Sequence, residues 1–126
     1  MYQPSLELFA LKAEKLFWPL ISNYGYDLVQ TQFLQYSVQL LYHHTTLQRS
    51  VIVVNAIHGY DYGFTVFIAD SKADQKEILL NMPNEKQDSE CLFLESVVKD
   101  FFSNAEVVKQ LNTSDWQPLG RIALKY

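Results

Sequence analysis

The chain has 126 residues, of which 48% are hydrophobic and 19% charged, proportions that favour one folded domain over a disordered chain. A net charge of -4, with no basic cluster larger than a pair such as Arg121 and Lys125, argues against binding to a phosphate backbone. The single cysteine, Cys91, excludes an internal disulfide, and no apolar run reaches the roughly 18 residues that a membrane span needs. We therefore expect one cytoplasmic domain over residues 1–126 that binds neither nucleic acid nor membrane.

The first predicted element is an amphipathic helix. Large apolar residues recur at three- and four-residue spacing from Leu6 to Tyr24, which indicates one buried helical face. Pro19 has no N–H to donate to the carbonyl four residues earlier, so we expect a kink or a break near Trp18. Gly25 is the expected end of this segment.

A two-residue apolar period follows, and it predicts four strands separated by turns. The stretch from residue 36 to residue 69 carries only two formal charges, Arg49 and Asp61, which is typical of buried strands. The strands are predicted at residues 27–34, 36–43, 48–57 and 64–69.

Both faces of this sheet are predicted to be apolar. A turn centred at Thr46 would place one set of side chains on one face: Val38, Leu40, Ile52, Val54, Phe67 and Ala69. The opposite face would then hold a second set: Leu41, Val51, Val53, Ile57, Phe64, Val66 and Ile68. If both helical segments covered the first face, the second face would remain for a partner, with Val51, Val53, Phe64, Val66 and Ile68. If one helix covered each face, no apolar strand surface would remain uncovered.

The carboxyl-terminal part of the chain is predicted to be mainly helical. Residues 77–82 suit a short edge strand or a helical turn, and a polar linker follows over residues 84–90. Helical spacing then runs from Leu94 to Leu111, with Ser103 and Asn104 as a place where the helix can split. The whole order predicts an α+β fold with a four-stranded, or five-stranded, antiparallel meander sheet.

No catalytic constellation, cofactor motif or metal site is predicted. His43 and His44 point to opposite faces of their strand, and His58 lies on the order of 25 Å away along the next strand. Cys91 has no sequence-local signature of a cysteine nucleophile and is expected to be a structural residue. The predicted site residues are therefore binding residues.

A short tyrosine-rich loop is the most distinctive candidate for contact with a partner. In residues 58–63, His58 precedes Gly59, and Tyr60, Asp61 and Tyr62 lie between Gly59 and Gly63. Tyrosine and histidine are rigid amphipathic residues that often anchor interfaces. The alternative is that both tyrosines fold back over the sheet edge and cap the core.

The layout resembles that of small uncharacterised bacterial proteins of the immunity type. The resemblance rests on the segments at residues 23–26, 36–38, 51–54 and 97–102 and on the overall order of elements. It implies a non-catalytic protein that neutralises a partner protein by covering it. We predict binding to a protein partner or a second copy, with a small-ligand-binding domain or enzyme as the alternative. Such a pocket would be lined by Phe33, Tyr42, Phe64 and Phe67.

Overall fold

A computed structural model describes residues 5–57 and 63–126 and confirms the α+β class. The helices and strands follow the predicted order; the segment expected to be an edge strand or a helical turn is the eight-residue strand β5, and a two-residue strand, β6, lies near the carboxyl terminus. Their bounds are α1 Leu6–Leu16, α2 Pro19–Ser22, β1 Asp27–Phe33, β2 Ser37–His44, β3 Arg49–Ala56, β4 Gly63–Asp70, β5 Gln75–Met82, α3 Phe93–Ser103, α4 Ala105–Asn112 and β6 Leu124–Lys125.

The sheet has six strands in the order of the sequence, so the prediction of four or five was an undercount. Strands β1 to β5 form an antiparallel meander, as expected. The two-residue strand β6 runs parallel to β5 and pairs Leu124 with Leu80 and Lys125 with Asn81. The alternation of Ile122, Leu124 and Tyr126 indicates a short strand or an extended segment here, and the structure has the strand.

Both predicted breaks in the helices are confirmed. Helix α1 ends at Leu16, and Pro19 begins the separate short helix α2, where its missing N–H costs nothing. Asn104 ends α3 and caps α4, because its side-chain oxygen accepts from the N–H groups of Glu106 and Val107.

All four helices pack on the same face of the sheet. The buried core combines Phe9, Phe17 and Phe101 of the helical side with the side chains of one sheet face. Phe64 of β4 is held between helices, with its ring centroid 5.2 Å from that of Phe9. The other face of the sheet has no layer over it within the described residues, and we call it the open face.

The predicted grouping of β3 with β4 side chains is confirmed, but that of β2 with β3 is wrong by one residue of register. Leu40 pairs with Val53 and Leu41 with Ile52, so the buried face is that of Val51, Val53, Phe64, Val66 and Ile68 together with Val38 and Leu40. The turn after β2 has four residues between the paired His44 and Arg49, which moves its centre half a residue beyond Thr46. Gln48 closes this turn with φ of 53°, a left-handed conformation that is uncommon for glutamine and that the sequence therefore does not indicate.

The surface predicted for a partner is the face that the helices cover. Five of the predicted binding residues are inside the core and have no exposed surface: Val51, Val53, Phe64, Val66 and Ile68. They are covered by the chain's own helices, because burying them removes the most apolar face of the sheet from water. The face that remains open is the one on which Ile52 and Phe67 lie.

The predicted polar linker after β5 also departs from expectation. Asn84 and Gln87 are buried, and Gln87 exchanges amide hydrogen bonds with Asn55 at 3.0 and 3.3 Å. Asn84 donates to the backbone oxygen of Ala56. Since these amides satisfy one another, a polar segment can close the end of the core at little cost.

Candidate functional site

The open face carries one continuous apolar row that crosses four strands. Leu41 of β2 pairs with Ile52 of β3, Ile52 with Phe67 of β4, and Phe67 with Ile78 of β5. Gln30 of β1 ends the row at the sheet edge. The four apolar side chains are partly exposed, so each offers surface to water that no helix of the described chain covers. We call Leu41, Ile52, Phe67 and Ile78 the apolar row.

Polar side chains border the apolar row on both sides. One neighbouring row contains His43, Ser50 and Lys76. The other runs through Gln32, Gln39, Val54, Thr65 and Asn81. Several of these polar groups already bond each other, since His43 Nδ1 lies 2.9 Å from Ser50 Oγ and Asn81 donates to Thr65 at 3.0 Å. An apolar centre with a largely polar border is the usual anatomy of a protein interface.

The open face is shallow. Two depressions of about 210 and 250 Å³ lie on it, and both are walled by Gln39 and Ile52. Sites for drug-sized ligands usually enclose about 300–1,000 Å³. The shape of this face therefore suits a broad protein surface better than a small molecule.

The charge of the open face differs from that of the whole chain. Asp27 is the only acid that the strand register places on it, at one edge among the described residues, while Lys76 and Lys125 are on the same face. Lys76 Nζ lies 4.2 Å from the ring centroid of Phe67 and so lies over part of the apolar row. The net charge of -4 thus resides on the helical side and the loops.

The predicted tyrosine loop lies outside the described residues. Nothing in the structure places His58, Tyr60, Asp61 or Tyr62, and their role stays a prediction. Ile57, the last described residue before residues 58–62, donates its N–H to the carbonyl of Tyr36 and so lies beside the turn between β1 and β2.

The four aromatic residues expected to line an internal pocket do not meet. Tyr42 and Phe64 are fully buried on the helical side of the sheet, whereas Phe67 belongs to the open face. Phe33 is 53% exposed at the end of β1. The space between the helices and the sheet is filled by side chains and does not form an aromatic cavity.

A second concave region lies between the helices. A groove of about 590 Å³ runs between α2 and α3, lined by Leu16, Pro19, Leu92, Glu95, Ser96, Val98, Lys99 and Phe102. An adjoining hollow reaches Cys91, which is only 1% exposed. Burial and the charge of Asp88 raise the pKa of the Cys91 thiol, which disfavours the nucleophilic thiolate.

The histidines and carboxylates do not assemble a reactive centre. His43 lies on the open face, while His44 on the helical side accepts from the N–H of Leu47 and packs edge-on against Tyr26. In residues 5–57 and 63–126, no three side chains of the metal-binding types are grouped around a common point. Within the same ranges no helix has both the length and the hydropathy to cross a membrane.

A buried ion pair is the strongest electrostatic feature, and its contacts are structural. Arg49 donates to Asp70 at 2.8 and 3.0 Å and also to the carbonyls of Gln110 and Thr113 at the end of α4. Burial acts to raise the pKa of Asp70, but the hydrogen bonds from Ala73 and Arg49 outweigh it and hold that pKa below its usual value. The pair therefore ties β3, β4 and the carboxyl end of α4 together.

Sequence reasoning recognised most residues of the apolar row as apolar but did not bring them together. Ile78 was missed because residues 77–82 suited a strand and a turn equally, and Leu41 was assigned to the opposite face from Ile52. The length of the turn after β2 is the feature of the sequence that could have given the correct register of β2 against β3. Comparison with known proteins adds no further guide: no family model, curated protein or solved structure matches this chain.

Proposed function

We propose that the chain is a non-catalytic protein-binding domain whose contact surface is the open face of its sheet. The observation that carries this proposal is the apolar row, which four consecutive strands display while every helix packs on the opposite face. A sheet with one uncovered apolar stripe leaves surface that association with another protein would remove from water.

The side chains of the row suit a protein partner. Phe67 and the three aliphatic residues provide a core that can be desolvated, and the surrounding Gln30, Gln32 and Gln39 provide donors and acceptors for a rim. Catalysis would need convergent titratable groups, and the described residues of this face supply only His43, Asp27 and the two lysines. Binding is therefore the function that the geometry supports best.

The immunity-type resemblance gives a narrower form of the same proposal. In that form the partner is a toxin that the open face covers, and the gene for the toxin lies beside the gene for this chain. The binding surface predicted by the structure is the same in both forms, so one set of variants tests them.

The experiment is site-specific photo-crosslinking with p-benzoylphenylalanine at Ile52. The matched control carries the crosslinker at Leu92, which is 65% exposed on the helical side. Both variants are expressed in the native cell and irradiated. We expect a discrete protein adduct from position 52 that is absent from position 92, because only the former lies at the contact.

The identified partner is then purified and its affinity measured. We expect Ile52→Lys to weaken binding by at least about ten-fold, roughly 1.4 kcal/mol, and Leu92→Lys to leave it unchanged. Equal adducts from both positions, no adduct from position 52, or an affinity unaffected by Ile52→Lys would contradict the proposal.

A further inference from the structure

The two edges of the sheet are treated differently by the chain. Along β5, the carboxyl-terminal segment lies against the edge: Trp116 donates to Gln75, the N–H groups of Leu119 and Gly120 donate to Glu77, and β6 pairs beyond them. At the other end of the sheet, β1 has β2 on one side and no strand on its other side among the described residues. One edge is therefore closed and the other open.

Strand β1 also lacks most devices that keep a free edge from pairing. Natural edge strands often carry lysine, proline or inward-pointing charges. Residues 27–33 contain neither lysine nor proline, and their one charge is Asp27 at the first position. A bulge interrupts the ladder with β2 between Leu28 and Gln30, which leaves Gln30 to Phe33 in regular pairing.

Two exposed amide side chains of β1 are placed symmetrically about Thr31. Gln30 and Gln32 pair with Leu41 and Gln39 of β2 and therefore lie on the same face of the sheet. In an antiparallel pair of identical strands with Thr31 opposite Thr31, Gln30 of each copy faces Gln32 of the other, and the two amides can exchange hydrogen bonds. Phe33, which is 53% exposed, would be partly covered in the same step.

We propose that a second copy of this chain adds its β1 antiparallel to β1, about a two-fold axis at Thr31. Backbone groups on the free edge call for an extended strand, and the placement of Gln30 and Gln32 about Thr31 makes the strand complementary to itself. The regularly paired residues Gln30 to Phe33 carry no charge, so no like charges meet along them although each chain carries -4.

One group opposes the association and provides a sharp test of the register. Glu14 of α1 accepts from the Thr31 hydroxyl at 2.7 Å, so the axis at Thr31 brings the two Glu14 carboxylates near each other. Replacing the charge by an amide that keeps the acceptor, Glu14→Gln, should strengthen the dimer. A dimer that used another surface would not respond in this way.

The dimer would join two six-stranded sheets into one with both apolar rows on the same side. The dimer goes beyond the proposed function, because that function needs only the open face of one copy. A dimer would present two such faces and so bind bivalently. The contact of one short strand is small compared with stable interfaces of about 1,200–2,000 Å². We therefore expect a weak dimer that depends on protein concentration.

The first experiment is sedimentation velocity of the full chain from about 10 μM to about 1 mM, the range in which weak dimers form. We expect the dimer fraction to rise with concentration, to increase in Glu14→Gln and to disappear in Phe33→Lys. Leu92→Lys adds the same charge at an exposed site elsewhere and should leave the dimer fraction unchanged. Ile52→Lys should also dimerise normally, which separates this inference from the proposed function.

The second experiment traps the register with disulfides in a Cys91→Ala background. Gln30→Cys and Gln32→Cys are oxidised separately and as a mixture; directly opposed residues lie within disulfide reach, whereas diagonal neighbours about 7–8 Å apart do not. We expect a mixed disulfide in the mixture and little dimer from either variant alone. A monomer at every concentration, or equal trapping by the single variants, would overturn the proposal.

Discussion

At the scale of single residues, two buried tyrosines differ in whether the phenol is satisfied. Tyr26 donates to the carbonyl of Leu111 at 3.0 Å, whereas the hydroxyl of Tyr42 has no hydrogen-bond partner among the described residues. Both side chains are fully buried, and burial raises the pKa of both phenols, so neither ionises near neutral pH. An unsatisfied buried hydroxyl costs about 1–3 kcal/mol.

We therefore predict opposite outcomes for the same substitution at these two sites. Tyr42→Phe should leave the free energy of unfolding unchanged or raise it by up to about 1 kcal/mol, while Tyr26→Phe should lower it by about 1–2 kcal/mol. Urea unfolding of both variants gives the comparison. Equal losses in the two variants would mean that the Tyr42 hydroxyl is also hydrogen-bonded.

The ion pair of Arg49 and Asp70 predicts a dependence of stability on pH. Since the folded-state pKa of Asp70 is below its unfolded value of about 3.9, its contribution is complete above that value and is lost as the pH falls through the folded-state pKa. Asp70→Asn leaves the Arg49 charge buried without a counter-charge, which should cost roughly 3–5 kcal/mol at pH 7.

The matched control for the ion pair is Asp74→Asn. Asp74 is exposed in the next turn and has φ of 52°, which asparagine tolerates. Unfolding curves are measured at pH 7 and in the acid range. Only Asp70→Asn should lose much of its free energy of unfolding at pH 7, and only in this variant should the remaining stability depend less on pH in the acid range. If both variants had the stability of the natural chain at pH 7, the buried pair would not hold the fold as described.

At the scale of elements, most bounds follow from the sequence, while the register does not. Spacing located α1 and the break at Pro19, because a missing N–H and a change of period are local properties. Register depends on the conformation of a few turn residues, and Gln48 adopts a left-handed conformation that is typical of glycine and asparagine. A single residue of error therefore placed Val38, Leu40 and Leu41 of β2 with the wrong side chains of β3.

The split between α3 and α4 gives a prediction at the same scale. Asn104 accepts from two N–H groups of α4, so Asn104→Ala should lower the free energy of unfolding by about 1 kcal/mol. Asn104→Asp keeps the acceptor and should remain close to the natural chain. Thermal and urea unfolding of the two variants test the cap, and an equal loss in both would show that the side chain acts in another way.

At the scale of the whole molecule, the sequence predicted a surplus of apolar strand surface and a need for cover. It did not predict which face the helices take, because both faces contain enough aliphatic residues to form a core. The structure places α1, α3 and α4 over Val53 and its neighbours and leaves the apolar row of Ile52 and Phe67 open. The proposed binding function depends on this choice of face.

The most direct test of that choice is the stability of two variants at adjacent positions of β3, Ile52→Lys and Val53→Lys. Lysine can extend into water from the open face but leaves an unpaired charge in the core. We predict that Ile52→Lys folds with a loss of at most about 1.5 kcal/mol, and that Val53→Lys loses more than about 4 kcal/mol or fails to fold. A stable Val53→Lys and an unfolded Ile52→Lys would contradict this assignment of the buried face, because the helices would then cover the face of Ile52.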